Sequence, residues 1–217
     1  MRHMSRFNLF SCHKFLEQSG SALLAKLAKY DTDDMKTADE IGSSIAEFSE
    51  RLKGHASWED QFIFNLLPTE AVRHERNFHK RLDDEVDLIQ RELSSFKSLS
   101  NNSFHQIYLR FRKIYSELLS HLYDEETNLM ELLCDRFSEQ ELRHIDHDIY
   151  KSMSADDMAA MVKELFPPCS FGEKLAVLED LEFANPNSLR DAWPKMSCLF
   201  TEEELEKVSS HRSKKLD

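Results

Sequence analysis

Two pentapeptides, HASWE at 55–59 and HLYDE at 121–125, each set a histidine four residues before a glutamate. On an α-helix such positions lie about 40° apart around the axis and roughly 6 Å along it, so His55 with Glu59, and His121 with Glu125, can point the same way. One imidazole nitrogen and one carboxylate per helix is metal-ligand chemistry. A single pair of this kind usually means a surface ion pair. Two copies, both inside apolar-periodic segments, shift the balance toward a metal centre; two buried ion pairs are the competing reading.

The segments that must position these residues read as helices. From Asn8 to Tyr30 the residues Phe15, Leu16, Leu23, Leu24 and Leu27 recur at helical spacing, His13 stands early in the stretch, and DTDD at 31–34 breaks it. A second stripe runs Ile41, Ile45, Phe48, Leu52, His55, Glu59, Phe62 or Ile63, and Leu66, and stops at Pro68. A third, from about Thr69 to Phe96, carries His79, Leu82, Val86, Ile89 and Leu93, and SLSNNS at 98–103 reads as the loop after it. The fourth, from about Phe104 to Phe137, runs Tyr108, Phe111, Tyr115, Leu118, His121 or Leu122, Glu125, Leu129 and Leu132.

Four long helices with short connections predict an all-α chain: an up-down-up-down four-helix bundle over residues 1–137, each helix supplying at least one inward histidine. Residues 138–217 read as additional short C-terminal helices punctuated by Pro167, Pro168, Gly172, Pro186 and Pro194, with Thr201 and Glu204 as a capping box. No chemical constellation stands out there, so this extension is expected to pack on the bundle or on a protein partner.

Composition supports the helical reading and narrows the function. Only four glycines and five prolines occur in 217 residues, and 41% of the chain is apolar, enough for a sizeable core. Forty acidic against 28 basic residues give a formal charge of −12, which repels phosphate backbones and anionic membranes, so neither nucleic acid nor membrane is an expected partner. The basic stretch His211, Arg212, Lys214, Lys215 reads as a solvated tail. Cys12, Cys134, Cys169 and Cys198 show no CxxC spacing and read as reduced, mostly buried thiols. No secretory leader pattern and no run of about 18 apolar residues is seen, and a cytoplasmic location is the expectation.

Together His13, His55, Glu59, His79, His121 and Glu125 offer four imidazoles and two carboxylates, too many for one zinc ion and suited to two ions sharing bridging carboxylates. Mixed nitrogen and oxygen donors favour iron or manganese over thiolate-type sites and leave zinc open. His79 has no partner at i+4 and could instead be a core histidine bonded to a carbonyl; His13 could be a capping or exposed residue. His74 falls about 140° from His79 and reads as a surface residue. His144 and His147, three apart, could bind a metal weakly but read as partly exposed.

HASWEDQFIFNLLP, FHKRLDDEV and HLYDEETNLMELL resemble the motifs of the hemerythrin-like, or HHE cation-binding, family across roughly residues 8–137. The resemblance implies a four-helix bundle around a non-haem di-iron centre, two oxo- or hydroxo-bridged iron ions rather than manganese or zinc. Carried over by position, Glu59 and Glu125 bridge the irons, and His13, His55, His79 and His121 are terminal ligands. Oxygen-carrying hemerythrins have a further histidine four residues from the one on the third helix; here those positions hold Glu75 and Asp83. In this respect the pattern is closer to hemerythrin-like domains of iron- and oxygen-sensing ubiquitin-ligase subunits and of bacterial proteins that repair nitrosatively damaged iron centres.

Three functions follow as expectations. The first is a di-iron module that binds, senses or handles O2, NO, peroxide or iron. The second is a di-iron enzyme that reduces peroxide or NO or repairs damaged iron centres, with reversible oxygen storage put in doubt by the missing histidine. Tyr123 and Trp58 could serve electron transfer there, but packing or surface roles suit them better. The third is a metal-free helical scaffold whose stability would not respond to chelation.

Overall fold

A computed structural model describes residues 9–30, 35–94 and 101–214, the side chains at 9–11, 35–38, 94, 101, 146 and 212–214 excepted. The DTDD break at 31–34, positions 98–100 of the expected loop, and Lys215 lie outside the described residues, as do the Arg212 and Lys214 side chains. The chain is all-α, with no strand among the described residues: α1 Leu9–Ala28, α2 Met35–Phe62, α3 Arg73–Ser94, α4 Asn101–Asp124, α5 Met130–Arg136, α6 Glu139–Lys151, α7 Ala155–Leu165, α8 Phe171–Ala184, α9 Pro186–Met196 and α10 Glu202–Lys214. Contacts divide it into two compact units, Leu16–Leu132, and Met1–Phe15 together with Leu133–Asp217.

In the unit Leu16–Leu132 the side-chain pairs give the helix directions. Lys26 donates to Ser44 at 2.8 Å and Arg51 to Ser19 at 3.2 Å, so α2 runs back along α1. Lys53 pairs with Asp87 at 2.8 Å and Arg76 with Asp60 at 3.7 Å, which makes α3 antiparallel to α2. Arg81 with Glu117 and Arg110 with Glu92, both at 2.8 Å, do the same for α3 and α4. The Tyr115 hydroxyl donates to the Glu17 carbonyl at 2.8 Å and the Tyr30 ring lies 4.1 Å from that of Phe104, closing α4 against α1. The result is an up-down-up-down bundle. Its core follows the expected stripes, Leu16, Leu23 and Leu27 against Ile45, Phe48 and Leu52, Val86 and Ile89, and Phe111 and Leu118, with Ile107 buried where Tyr108 was expected and Tyr108 only partly buried.

Three local departures from simple periodicity have identifiable causes. Leu67, ahead of Pro68, takes extended backbone (φ −113°, ψ 156°), as a pre-proline residue does, and a turn closed by the Ala71 amide on the Pro68 carbonyl at 2.8 Å follows, so that α3 starts at Arg73 rather than near Thr69. The 3₁₀ turn Phe64–Leu66 after α2 rotates the register, burying Ile63 and Phe64 and leaving Leu66 38% exposed. A π turn at Glu125–Leu129, in which the Met130 amide donates to the Glu125 carbonyl, adds a residue to one turn. Downstream of it Leu132 points out and Leu133 is buried in its place. Asn101–Ser103, read from sequence as loop, instead open α4.

At Gly20 the Tyr115 ring of α4 packs directly onto α1. A Cβ there would lie 2.4 Å from a ring carbon of Tyr115, whose hydroxyl is tied to Glu17 and so holds the ring in place. Alanine in a helix normally gains about 1 kcal/mol over glycine, yet overpacking of this kind costs about 1–3 kcal/mol. Gly20→Ala is therefore expected to lower stability by about 1 kcal/mol net, measured by urea unfolding; an unchanged or raised midpoint would show that Tyr115 gives way freely.

The second unit has its own core, built from Met158, Val162 and Phe166 of α7 and its C-cap, Leu178 and Leu181 of α8, Leu189 and Met196 of α9, and Phe200. Ser138 with Glu141 and Ser170 with Glu173 form capping boxes at α6 and α8, and Thr201 with Glu204 makes the expected reciprocal bonds at 2.9 and 3.2 Å. Asn185 caps α9 by accepting from the Ser188 amide, while its Nδ2 donates to the carbonyls of Tyr150, Lys151 and Met153. Pro194 lies in the last turn of α9 rather than ending it, and Gly172 falls in the first turn of α8. His144 is exposed as expected, but His147 is buried, its ring 4.4 Å from Phe183 and its Nε2 3.6 Å from an Asp180 carboxylate that also takes Arg143. None of the four cysteines is in a disulfide, and of the four expected as mostly buried only Cys169 is buried; Cys12 and Cys134 are half-buried and Cys198 is exposed.

Candidate metal centre

Five of the six expected donors come together inside the unit Leu16–Leu132. α2 brings His55 and Glu59 inward on its last turns, α3 brings His79, and His121 on the final turn of α4 meets Glu125 at the mouth of the π turn. Both glutamates are 0% exposed and the three histidines are buried. His13 belongs to the other unit, where it is fully buried on α1, which removes the expected alternative of a solvent-exposed residue. His74 is exposed, Tyr123 is exposed, and the Trp58 ring packs against Phe62 with centroids 6.2 Å apart.

The donor atoms crowd one another. Oε2 of Glu59 lies 3.3 Å from Nε2 of His55 and 3.3 Å from Nε2 of His79. Glu125 faces two ways: Oε1 is 2.9 Å from His121 Nε2 and 3.7 Å from His79 Nε2, and Oε2 is 4.0 Å from His55 Nε2. The Nε2 atoms of His79 and His121 are 3.0 Å apart. Donors held about 2.1 Å from one first-row ion are separated by about 3.0 Å at a right angle and about 4.2 Å when opposite, so every one of these spacings suits atoms sharing an ion. Glu59, His79, His121 and Glu125 each place a donor atom within 4.8 Å of the others.

Electrostatics agree with that reading. Burial opposes charge on His79, but the carboxylates of Glu125 and Glu59 outweigh it and push the imidazole up to about 9. At His121 burial again opposes charge, while Glu125 and Glu75 raise the ring against the repulsion of His79. Two buried carboxylates thus demand positive charge from whatever lies between them, and a cation satisfies several buried groups together. The surroundings are apolar: Phe64 stacks on His79 with centroids 5.4 Å apart and Phe78 on His121 at 4.1 Å.

Three contributors escaped the sequence reading. Phe64 and Phe78 have no motif signature, because stacking on an imidazole depends on how neighbouring helices cross. Glu75, seen in sequence only as the absence of a histidine, touches Nδ1 of His121 at 2.8 Å. Burial would raise its carboxyl, but the bond to His121 prevails and holds it below the ordinary glutamate range. Its i+4 relation to His79 was the available signal.

No helix among the described residues is long and apolar enough to cross a membrane. The family model described as "Hemerythrin HHE cation binding domain" matches residues 8–149, a span that contains all six expected donors. No curated protein and no solved structure matches the chain.

Proposed function

The chain belongs to the hemerythrin HHE cation-binding family, and on that premise we propose that it is a di-iron module that binds, senses or handles O2, NO, peroxide or iron itself. The observation that carries this is the pair of fully buried carboxylates facing imidazoles on both sides: Glu59 toward His55 and His79, Glu125 toward His55, His79 and His121. We take Glu59 and Glu125 as bridges and His13, His55, His79 and His121 as terminal ligands. His13 is supported by its full burial on α1 and its place within the matched span. Six nitrogen and oxygen donors, with no cysteine among them, favour two iron ions over zinc.

Bound iron would supply the electron transfer and small-molecule coordination that none of these side chains performs. The chain's own work is to gather the donors, to hold in place of a cation the proton that an incoming ion displaces from His79, and to keep water away with Phe64 and Phe78 on the ring faces. Because several buried polar groups depend on the same ions, metal uptake and bundle stability are coupled, which is how occupancy could be reported. Residues 1–137 would form the metal-holding part, and the helices of 138–217 would be where a protein partner is engaged.

Metal analysis of protein purified with and without air, read with the visible spectrum, tests the proposal. Two irons per chain with oxo-bridge charge-transfer bands are expected; zinc alone, or iron well below stoichiometry, would sink it. Consumption of peroxide or NO with a reductant present then separates a sensor, which reacts stoichiometrically, from an enzyme, which turns over.

A further inference from the structure

Glu75 lies one turn before His79 on α3 and is not one of the six expected donors. Its Oε2 is 2.8 Å from Nδ1 of His121, and its side chain is only 15% exposed. The other nitrogen of the same ring, Nε2, faces Oε1 of Glu125 at 2.9 Å and Nε2 of His79 at 3.0 Å. Phe78, also from α3, stacks on the face of this ring at 25° to its plane. The imidazole is carried by α4 but gripped from α3, on its face by Phe78 and on its Nδ1 edge by Glu75.

An imidazole nitrogen offers a lone pair only when its proton sits on the other nitrogen, and the partner of that other nitrogen decides which tautomer prevails. A carboxylate at Nδ1 keeps the proton there and leaves the Nε2 lone pair directed at the centre. The Glu75 contact is to Nδ1, whereas Glu125 and His79 meet the ring at Nε2, so Glu75 acts on this imidazole from its other nitrogen. We propose that Glu75 is a positioning residue that holds His121 in its Nδ1-protonated tautomer, so that Nε2 is the atom presented to the metal. This rests on the metal-centre reading only for its consequence, not for the tautomer.

Two measurements on the full chain decide it. In cobalt(II) titrations without air, followed by visible absorption, Glu75→Ala is expected to weaken one of the two ions by about 10- to 100-fold while the other is unaffected. Glu75→Gln, whose amide oxygen still accepts from Nδ1–H, recovers most of that loss. A role confined to fold stability would lower the melting temperature of both variants without this split. Wild-type affinity for both ions in Glu75→Ala overturns the proposal, and so does a Gln variant that loses as much as Ala. Nitrogen-15 NMR of the metal-free chain, at a pH where the ring is neutral, is expected to place the His121 proton on Nδ1 and to show it redistributed in Glu75→Ala. An Nε2 proton in the unsubstituted chain overturns the proposal whatever the titrations give. A chain that takes up no cation at all would sink the metal reading, and the NMR result would still decide the role of Glu75.

Discussion

Replacing Glu59 with alanine is expected to empty the centre of both ions rather than one. The Oε2 atom sits 3.3 Å from His55 on one side and 3.3 Å from His79 on the other, so the carboxylate belongs to both halves of the donor set. Glu125 cannot substitute, because its two oxygens are already turned to opposite sides. Ligand present at about a thousandfold over its dissociation constant stabilises a folded state by about 4 kcal/mol, which for a chain of this size raises the melting temperature by about 10 °C. The unsubstituted chain should show that rise on iron loading and lose it to a chelator; Glu59→Ala should show no rise and retain no stoichiometric iron. Unchanged iron content together with an unchanged loading-dependent shift would mean that Glu59 is not a bridge. A chelator without effect on the unsubstituted chain would instead favour the metal-free scaffold.

The second large effect is on pH. His79 is pushed up to about 9 by Glu125 and Glu59, so near pH 7 an incoming cation must displace a proton from it. Each proton displaced steepens the apparent affinity about tenfold per pH unit, so affinity should rise about 50-fold from pH 7 to pH 9 and level off above at about 100-fold in all. The metal-free chain should behave in the opposite sense. A group whose folded pKa is raised contributes stability that is complete below its unfolded value, near 6.5, and is lost as pH climbs through the folded value. The chain without metal therefore weakens between about pH 6.5 and 9, while the loaded chain, whose His79 has already given up its proton, does not change through this group over that window. Calorimetric titrations across that range, with proton release counted from buffers of differing ionisation enthalpy, read the affinity, and urea unfolding of the metal-free chain reads the loss of stability. A pH-independent affinity would show that His79 carries no proton to displace.

How far the residues alone lead is seen by comparing α2 with α4. On α2, uninterrupted 3.6-residue periodicity from Ile41 to Glu59 was enough to put His55 and Glu59 on the buried face, and that is where they lie. From α4 onward the same reasoning held as far as Leu129 and then failed at Leu132, because the π turn has no compositional signature and shifts the side chains that follow it. The turn follows directly on the Glu125 donor, a setting in which such bulges are often found. His147 was misread as partly exposed because burial of an isolated polar residue depends on α8, which delivers Asp180 and Phe183 to it.

What the sequence determined by itself is whatever repeats along one helix: the all-α class, the four apolar stripes, and the two His-x3-Glu pairs, each a consequence of the angle and rise per residue. What only the tertiary structure decided is whatever passes between helices. That includes the 3.0 Å approach of His79 to His121, the opposed oxygens of Glu125, the aromatic faces of Phe64 and Phe78, and the reach of Glu75 to Nδ1 of His121. Helical periodicity fixes the direction of a side chain from its own axis, but the distance to a residue on another helix is set by how the two pack, and no spacing within either strand of sequence encodes it.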